Sequence, residues 1–376
     1  GLVVAPGISL THPKPHPLVI KAKESGVDIF GDIEIFGRSR AKLPPHQVVG
    51  VTGTNGKSTT TALLAHVLGE CGFSTLASGN IGLPVLEQDP LPDGGVYVFE
   101  LSSFQLDLTK SLKPEYAILL NLTPDHLDRH GDMAGYVKAK SKLFEMQGKD
   151  GVAIINVDDA SVKAVGEGLS QTVIPISIKG RIKGGYYVRD GHVLEAIGNV
   201  ENDLGEIPYN TSLLGEHNWQ NILCVIAVAH SMGTKVSLIL KAIKSYKGLE
   251  HRLEKVDERE GIIFINDSKA TNSAATSKAL GSFKNIYWIA GGLCKEETLD
   301  GLNESLGSVK KAYFIGKDVG MLSDWAENKI VYEKSITLDV AFKNALEDAM
   351  GAKGGVILLS PACASYDQFK NYTERG

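Results

Sequence analysis

Between residues 48 and 68 the chain reads VVGVTGTNGKSTTTALLAHVL. An apolar strand pattern runs into Gly53, Thr54, Asn55 and Gly56, and Lys57, Ser58 and Thr59 then open an amphipathic helix. A glycine-rich turn at a helix N-terminus aims backbone N–H groups and the positive end of the helix dipole at one point, a setting for a polyphosphate. Lys57 would reach the outer phosphates, and the Ser58 hydroxyl would coordinate Mg²⁺. The spacing departs from GxxxxGK, because Val51 stands where the first glycine belongs.

Further along, VYVFELSSFQL (96–106) puts Glu100 at the end of a strand pattern, beside Ser102 and Ser103. Carboxyl ends of strands in an open α/β sheet face the ligand crevice, so Glu100 is placed to complete a Mg²⁺ shell begun by Ser58. NLTPDHLDRHG (121–131) repeats the arrangement, with a strand expected to end at Asn121 and to deliver Asp125, His126 and Asp128 to the same edge. YVKAKSKLFE (136–145) is a lysine-rich helix, by itself a solvated face. GEHNWQNILCVIAVA (215–229) sets Asn218 and Asn221 on one face of a helix start, for capping or for a ligand. INDSKATN (265–272) lines up a carboxylate, a hydroxyl, an ammonium and an amide after a strand, in Asp267, Ser268, Lys269, Thr271 and Asn272.

The elements that must position these groups are short Val- and Ile-rich runs at 48–52, 96–100, 117–121, 152–156, 262–266, 286–290, 312–315 and 356–359. Helix-period segments lie between many of them, and alternating continuous apolar strands with helices predicts parallel sheets covered on both faces. The expected fold class is α/β. Residues 178–216 have an alternating rhythm with turn residues between, which predicts antiparallel strands. RAKLPPHQ (40–47) reads as a linker, and a further unit is expected to begin near Gly248.

A chain of 376 residues is long enough for two or three domains. The net charge of −5 and the lack of a dense Lys/Arg run argue against a nucleic-acid partner. No apolar run reaches the ~20 residues a bilayer span requires, so no membrane partner is expected. Cys71, Cys224, Cys294 and Cys363 are scattered without metal-site spacing, so neither a zinc site nor a disulfide framework is expected, and a reducing cytoplasm fits. GLVVAPG opens as a buried-strand pattern with nothing before it and YDQFKNYTERG stops after a helix-like segment, so a longer natural protein is expected.

TGTNGKST resembles the ATP loop of the Mur ligase family, which also includes folylpolyglutamate synthetases, and the resemblance extends over nearly the whole chain. LEHRLEKV (249–256) is similar to the element that opens the family's C-terminal domain, and it places Arg252 near the ATP phosphates. AGGLCKEETL (290–299) matches a Gly-Gly…Lys loop, placing Lys295, and LLSPACASYDQFKNYTERG (358–376) resembles the C-terminal signature, placing Ser365 and Tyr366. NDSKATN is similar to the stretch found in the family members that add D-glutamate.

The resemblance implies a partial Rossmann-like N-terminal domain (1–43), a central P-loop ATPase-type domain with a parallel sheet (44–248), and a C-terminal Rossmann-like domain (249–376) that binds the amino acid. It implies ATP held by residues 53–59, Asn218, Asn221, Arg252 and Asp267. Two Mg²⁺ would be held by Ser58, Glu100, His126 and Lys140, the last carbamylated, with Lys57, His126 and Lys140 catalytic. Lys138 and Lys142 are neighbours that only the alignment separates from Lys140. UDP-N-acetylmuramoyl-L-alanine and D-glutamate are the implied substrates, with Asn80, Ser102, Lys269, Thr271, Asn272, Lys295, Ser365 and Tyr366 contacting them. The central and C-terminal domains would close on each other about Gly248, and a monomer is expected. The family's Ser before Pro-Gly in its N-terminal strand is Ala5 here, which bears on recognition of the uridine nucleotide. A folylpolyglutamate synthetase, with a folate region and without DSKATN, and a non-catalytic ATP-binding module are the alternatives.

Overall fold

The computed structural model describes the chain except Asn199, Thr211, Leu214 and residues 295–297, and except the side chains of Glu216, His217 and Ala274. The described chain forms two compact units, Gly1–Tyr246 and Lys247–Gly376.

The first unit opens with β1 (Leu2–Val3), α1 (Pro17–Glu24), β2 (Ile29–Phe30) and α2 (Asp32–Ser39), the two strands forming a small parallel pair. A nine-stranded sheet follows, built from β3 (His46–Thr52), β4 (Thr75–Gly79), β5 (Gly95–Glu100), β6 (Tyr116–Leu119), β7 (Val152–Asn156), β8 (Thr172–Ser177), β9 (Gly185–Arg189), β10 (His192–Ile197) and β11 (Val200–Glu206). Its order is β11-β10-β9-β8-β7-β6-β3-β5-β4; the strands from β4 to β9 run parallel, and β10 and β11 extend the sheet antiparallel. Parallel strands are buried on both faces, which is why they read as unbroken apolar runs. One face packs Val49, Val51, Val96 and Ile118 against α3 (Lys57–Glu70), α8 (Glu216–Ser231) and α9 (Val236–Ser245). The other packs Val48, Tyr97, Phe99 and Leu119 against α2 and α6 (Met133–Glu145), with α4 (Ser103–Asp107), α5 (Leu127–His130) and α7 (Ala160–Glu167) completing that side.

The second unit holds a six-stranded sheet in the order β12-β13-β17-β14-β15-β16, formed by β12 (Glu254–Arg259), β13 (Ile262–Asn266), β14 (Ile286–Gly291), β15 (Val309–Ile315), β16 (Tyr332–Ile336) and β17 (Gly355–Leu359). All pairs are parallel except β12 with β13. Buried side chains of α10 (Ser273–Gly281) and α11 (Val319–Ala326) join the core cluster of one face, and α12 (Leu338–Gly351) covers the other through Ala341, Ala345 and Ala349. The chain closes with α13 (Tyr372–Arg375).

Every apolar run from residue 48 on that is predicted as a strand is one, and 178–216 contains the antiparallel pairs β9–β10 and β10–β11, whereas the buried-strand pattern of GLVVAPG is only the two-residue β1, with Val3 exposed. The β9–β10 turn is Asp190-Gly191 with both φ positive, the left-handed geometry a two-residue hairpin requires. Several strand ends differ from expectation, with β3 starting two residues earlier, at His46. β6 stops at Leu119, so Asn121 lies beyond the strand, and β15 begins earlier, at Val309. The edge strands β4 and β16 were not legible because each carries polar residues among its apolar ones.

Helix α2 fastens residues 1–43 to the sheet. Phe36 meets the rings of Tyr97 and Phe99 edge-on, with centroids 4.8 and 5.0 Å away. Beside it Glu34 is buried, and its carboxylate accepts from the amides of Lys110 and Ser111 at 2.6 and 2.8 Å, from Ser111 Oγ at 2.8 Å and from Arg38 Nε at 2.8 Å. Burial pushes this carboxyl's pKa up, but Arg38 and the two amides outweigh it and hold the pKa below the ordinary glutamate value. Glu34→Ala would strand those amides and is expected to cost about 3 kcal/mol of stability at neutral pH. Because the folded pKa is depressed, the difference from wild type should shrink as pH falls through the folded-state value, which thermal denaturation of both proteins from pH 7 to pH 3 would show.

Candidate functional site

The loop between β3 and α3 is held from several sides. Gly53 and Gly56 have φ of +148° and +85°, and the amide of Thr54 donates to Asn121 O at 2.9 Å. Asn121 also grips Asn55 with its side chain: Oδ1 accepts from Asn55 N–H at 2.8 Å, and Nδ2 donates to Asn55 O at 3.0 Å. Lying past the end of β6 lets Asn121 do this. Thr54 Oγ1 donates to Thr123 O at 3.1 Å and lies 3.2 Å from the Tyr136 hydroxyl. Asn221, on α8, accepts from Thr60 Oγ1 at 3.1 Å and donates to Asn218 Oδ1 at 2.9 Å. The structure therefore brings Asn221 against Gly56 and the helix that follows the loop, with Asn218 bonded to Asn221.

Two ammonium groups share one acceptor here. Lys57 Nζ donates to Gly53 O at 2.9 Å and to Thr54 O at 2.8 Å, and Lys140 Nζ donates to the same Gly53 O at 2.8 Å. Lys140 is fully buried, and its Nζ also sits 4.7 Å from the Tyr136 ring centroid. Burial first, then the charge of Lys57, lower its pKa to about 7, with Asp125 and Glu100 opposing. Its neighbours behave differently: Lys138 is exposed, and Lys142 pairs with Asp107 at 2.6 Å. Of the lysines on this helix, Lys140 is the one with a depressed, site-facing amine.

Glu100 is buried at the end of β5. Its Oε1 accepts from Asn80 Nδ2 at 2.9 Å, while its Oε2 has no hydrogen-bond partner among the described residues. Ser58 is buried at the start of α3. An orphaned carboxylate oxygen and a hydroxyl fit Mg²⁺, which binds one or two protein oxygens and completes its shell with phosphate and water. Among the described residues no group of three or more His, Cys, Asp or Glu could hold a metal by itself. His126 caps the short helix α5 with φ +52°, is about half exposed, lies 3.6 Å from Asp125 and leans on the Phe104 ring at 4.9 Å. Ser102 caps α4, exchanging hydrogen bonds with Gln105 in a capping box.

Residues that sequence reasoning missed surround this centre. Asn121 and Tyr136 are two. His130 is a third, with Nε2 2.9 Å from Ser103 Oγ and its ring against those of Phe104 and Tyr136. None stands in a spacing pattern, so only the fold reveals them.

In the second unit the polar stretch after β13 is joined to the segment after β17. Asp267 N–H donates to Leu359 O at 2.7 Å, and Ala362 N–H donates to Ala270 O at 3.0 Å. Asp267 is buried; its Oδ2 accepts from Ser360 Oγ at 2.8 Å and its Oδ1 from Leu253 N–H at 3.1 Å. Burial pushes its pKa up to about 6, against those hydrogen bonds and the charge of Arg252. Arg252 Nε is itself buried without a partner among the described residues. Lys269 Nζ lies 5.7 Å from the Tyr372 ring centroid, Thr271 is half-buried, and Asn272 caps α10 by accepting from Ala275 N–H. Ser365 is buried and Tyr366 exposed. Lys295 lies outside the described residues.

One expectation fails here. Cys294 and Cys363 form a disulfide across 69 residues of sequence. The segments after the adjacent strands β14 and β17 pair through Leu293 and Ala364, a juxtaposition that cysteine spacing does not encode.

The chain is similar to known proteins along its length. Residues 51–229 match the Mur ligase middle domain. A UDP-N-acetylmuramoylalanine–D-glutamate ligase of Nitrobacter hamburgensis is 43% identical over 382 residues, covering 100% of this chain and 82% of the relative. One from Paramagnetospirillum magneticum is 44% identical with the same coverage. The chain belongs to this family of Mur ligases. Solved structures agree at the level of fold: MurC of Thermotoga maritima superposes with a TM-score of 0.61 at 20% identity, covering 91% of this chain and 78% of that one. MurF of the same organism, in complex with ADP, gives 0.60 at 20% identity over 92% and 87%. Among the described residues of the ligase, no helix is long and apolar enough to cross a membrane.

The loop also makes a checkable demand. A Cβ on Gly56 would sit 2.6 Å from Asn221 Oδ1, at a φ that L-residues rarely adopt. Gly56→Ala is expected to weaken nucleotide binding by about tenfold or more, measured by calorimetric titration with ATP, with the melting temperature showing whether the fold survives.

Proposed function

We propose that this ligase joins D-glutamate to UDP-N-acetylmuramoyl-L-alanine at the expense of ATP, making a precursor of peptidoglycan. The observation that carries the reading is the meeting of Lys57 and Lys140 on the Gly53 carbonyl of a glycine-rich loop, near a Glu100 oxygen with no partner among the described residues. Forming an amide from a free carboxylate is uphill, so the carboxylate must first become an acyl phosphate. The L-alanyl carboxylate attacks the γ-phosphorus and ADP leaves; the D-glutamate amine then attacks the acyl carbon, and phosphate leaves from the tetrahedral intermediate. No residue needs to form a covalent bond to substrate, so the protein's work is positioning and electrostatics.

Within that scheme Lys57, bonded to the Gly53 and Thr54 carbonyls of the loop, would neutralise the charge that develops on the transferring phosphoryl group. Asn221, bonded to Thr60, and Asn218 behind it would contact the nucleotide. Ser58 and Glu100 would hold one Mg²⁺, and His126 with Lys140 a second; bound there, the metal supplies charge neutralisation and orientation of phosphate and carboxylate oxygens. As an ammonium Lys140 is only a donor and cannot be a metal ligand. Its lowered pKa makes the neutral amine available near pH 7, the form that adds carbon dioxide to give a carbamate, an oxygen donor that Mg²⁺ accepts. The amino acid belongs to the second unit, where Lys269, Thr271, Ser365 and Tyr366, with Lys295 from the sequence, are the candidates to receive its carboxylates. Arg252 and Asp267 serve the ATP phosphates.

Purified protein supplied with ATP, Mg²⁺ and UDP-N-acetylmuramoyl-L-alanine should release phosphate only when D-glutamate is added. Release with a folate in place of the nucleotide would favour a folylpolyglutamate synthetase, and ATP binding without any turnover would favour a non-catalytic module. Lys140→Ala should lower turnover about 100-fold or more, and short carboxylic acids should restore part of it. Near-normal turnover of that variant would remove the carbamate from the scheme.

A further inference from the structure

We infer that Arg375 is a positioning residue for the amino-acid site, a role that rests on the reading of the second unit as the D-glutamate-binding half. Its guanidinium is buried, and its hydrogen bonds reach three separate segments. Nε donates to Ser268 Oγ at 3.1 Å and Nη2 to Ser268 O at 2.9 Å; Nη1 donates to Gly291 O at 3.3 Å and to Cys363 O at 3.1 Å. Those acceptors are the residue before Lys269, the last residue of β14, and the residue two before Ser365. The segments that supply Lys269 and Ser365, together with the end of β14, are thus gripped by this one side chain.

The arrangement is costly unless the charge is used. Among the described residues no carboxylate lies within ion-pair distance of Arg375, and its pKa falls to about 10, chiefly through burial, with Asp367 opposing from farther away. A cation placed among neutral acceptors keeps its positive field, and D-glutamate brings two carboxylates. The planar fork of arginine suits three diverging acceptors, which a lysine ammonium on a flexible stem cannot hold together. The turn around it supports the same segment: Ser268 Oγ donates to Tyr372 O at 2.7 Å, Lys269 Nζ faces the Tyr372 ring, and Asn266 Nδ2 donates to Gly376 O at 3.0 Å. The last turn of the described chain, α13, is therefore a brace behind the NDSKATN motif.

The test is steady-state kinetics of Arg375→Met and Arg375→Lys with each substrate varied in turn. Arg375→Met should raise the KM for D-glutamate about tenfold or more while the KM values for ATP and the muramoyl nucleotide stay within about twofold, and Arg375→Lys should fall between it and wild type. A D-glutamate KM equal to that of wild type, or a uniform loss across all substrates that tracks a lowered melting temperature, would overturn the role. If Arg375→Met does not fold, Ser268→Ala decides: it removes one acceptor, and a selective rise in the same KM supports the role while none overturns it. Wild-type protein without D-glutamate-dependent phosphate release would instead refute the functional reading itself, so the two failures are distinct.

Discussion

The carbonyl of Gly53 accepts from two lysine ammonium groups at once, and the first unit is organised around that contact. Bringing Lys57 and Lys140 to one neutral oxygen concentrates positive charge in a place from which water is largely excluded. Such a cluster is tolerable if one amine gives up its proton or if an anion fills the loop. The lowered pKa of Lys140 is the first response, and a polyphosphate bound at the helix N-terminus, as proposed, would be the second. The supports around the loop serve this arrangement: Asn121 fixes Asn55, Tyr136 meets Thr54, and Asn221 leaves no room for a side chain at Gly56.

The same logic explains why parallel strands carry the site. In an α/β sheet the loops at the carboxyl ends of neighbouring strands converge, and β3, β5 and β6 are adjacent in the order β6-β3-β5. Their ends supply the phosphate loop, Glu100 and the 121–126 segment, so side chains far apart in sequence share one edge without a dedicated scaffold. Residues 1–43 join this unit through Glu34 and Phe36, whose contacts reach β5 and the 110–111 turn, and through Ile8, whose carbonyl accepts from Arg129 Nη2 at 2.8 Å, three residues after His126.

How much of this was legible depends on the kind of signal. Buried parallel strands leave unbroken Val and Ile runs, so β3, β5, β7 and β13 could be read at nearly their true bounds, and the glycine loop announces itself because few backbones tolerate its φ values. The family resemblance then supplied roles that no spacing gives, such as that of Lys140 among three lysines. Pairings across the fold were not readable. Asn121 acts through an amide that looks like any residue after a strand, His130 sits in a short helix with no periodicity, and the Cys294–Cys363 disulfide joins segments that only strand order brings together. Edge strands such as β4 and β16, exposed along one side, mix polar residues into the run and lose the signature.

The second unit solves a different problem from the first. A phosphate loop is defined mainly by its backbone, whereas the amino-acid site proposed for the second unit, which must take a small molecule with two carboxylates, would depend on side chains delivered by loops that have little secondary structure of their own. Here those loops are tied to one another: Asp267 to Leu359 and Ser360, Ala270 to Ala362, Leu293 to Ala364, and Cys294 to Cys363. Loops that cross-brace in this way lose little further entropy when a ligand arrives, which raises affinity without adding contacts. A guanidinium able to bond several acceptors in one plane is the side chain that can close such a brace from behind, which is the position Arg375 occupies.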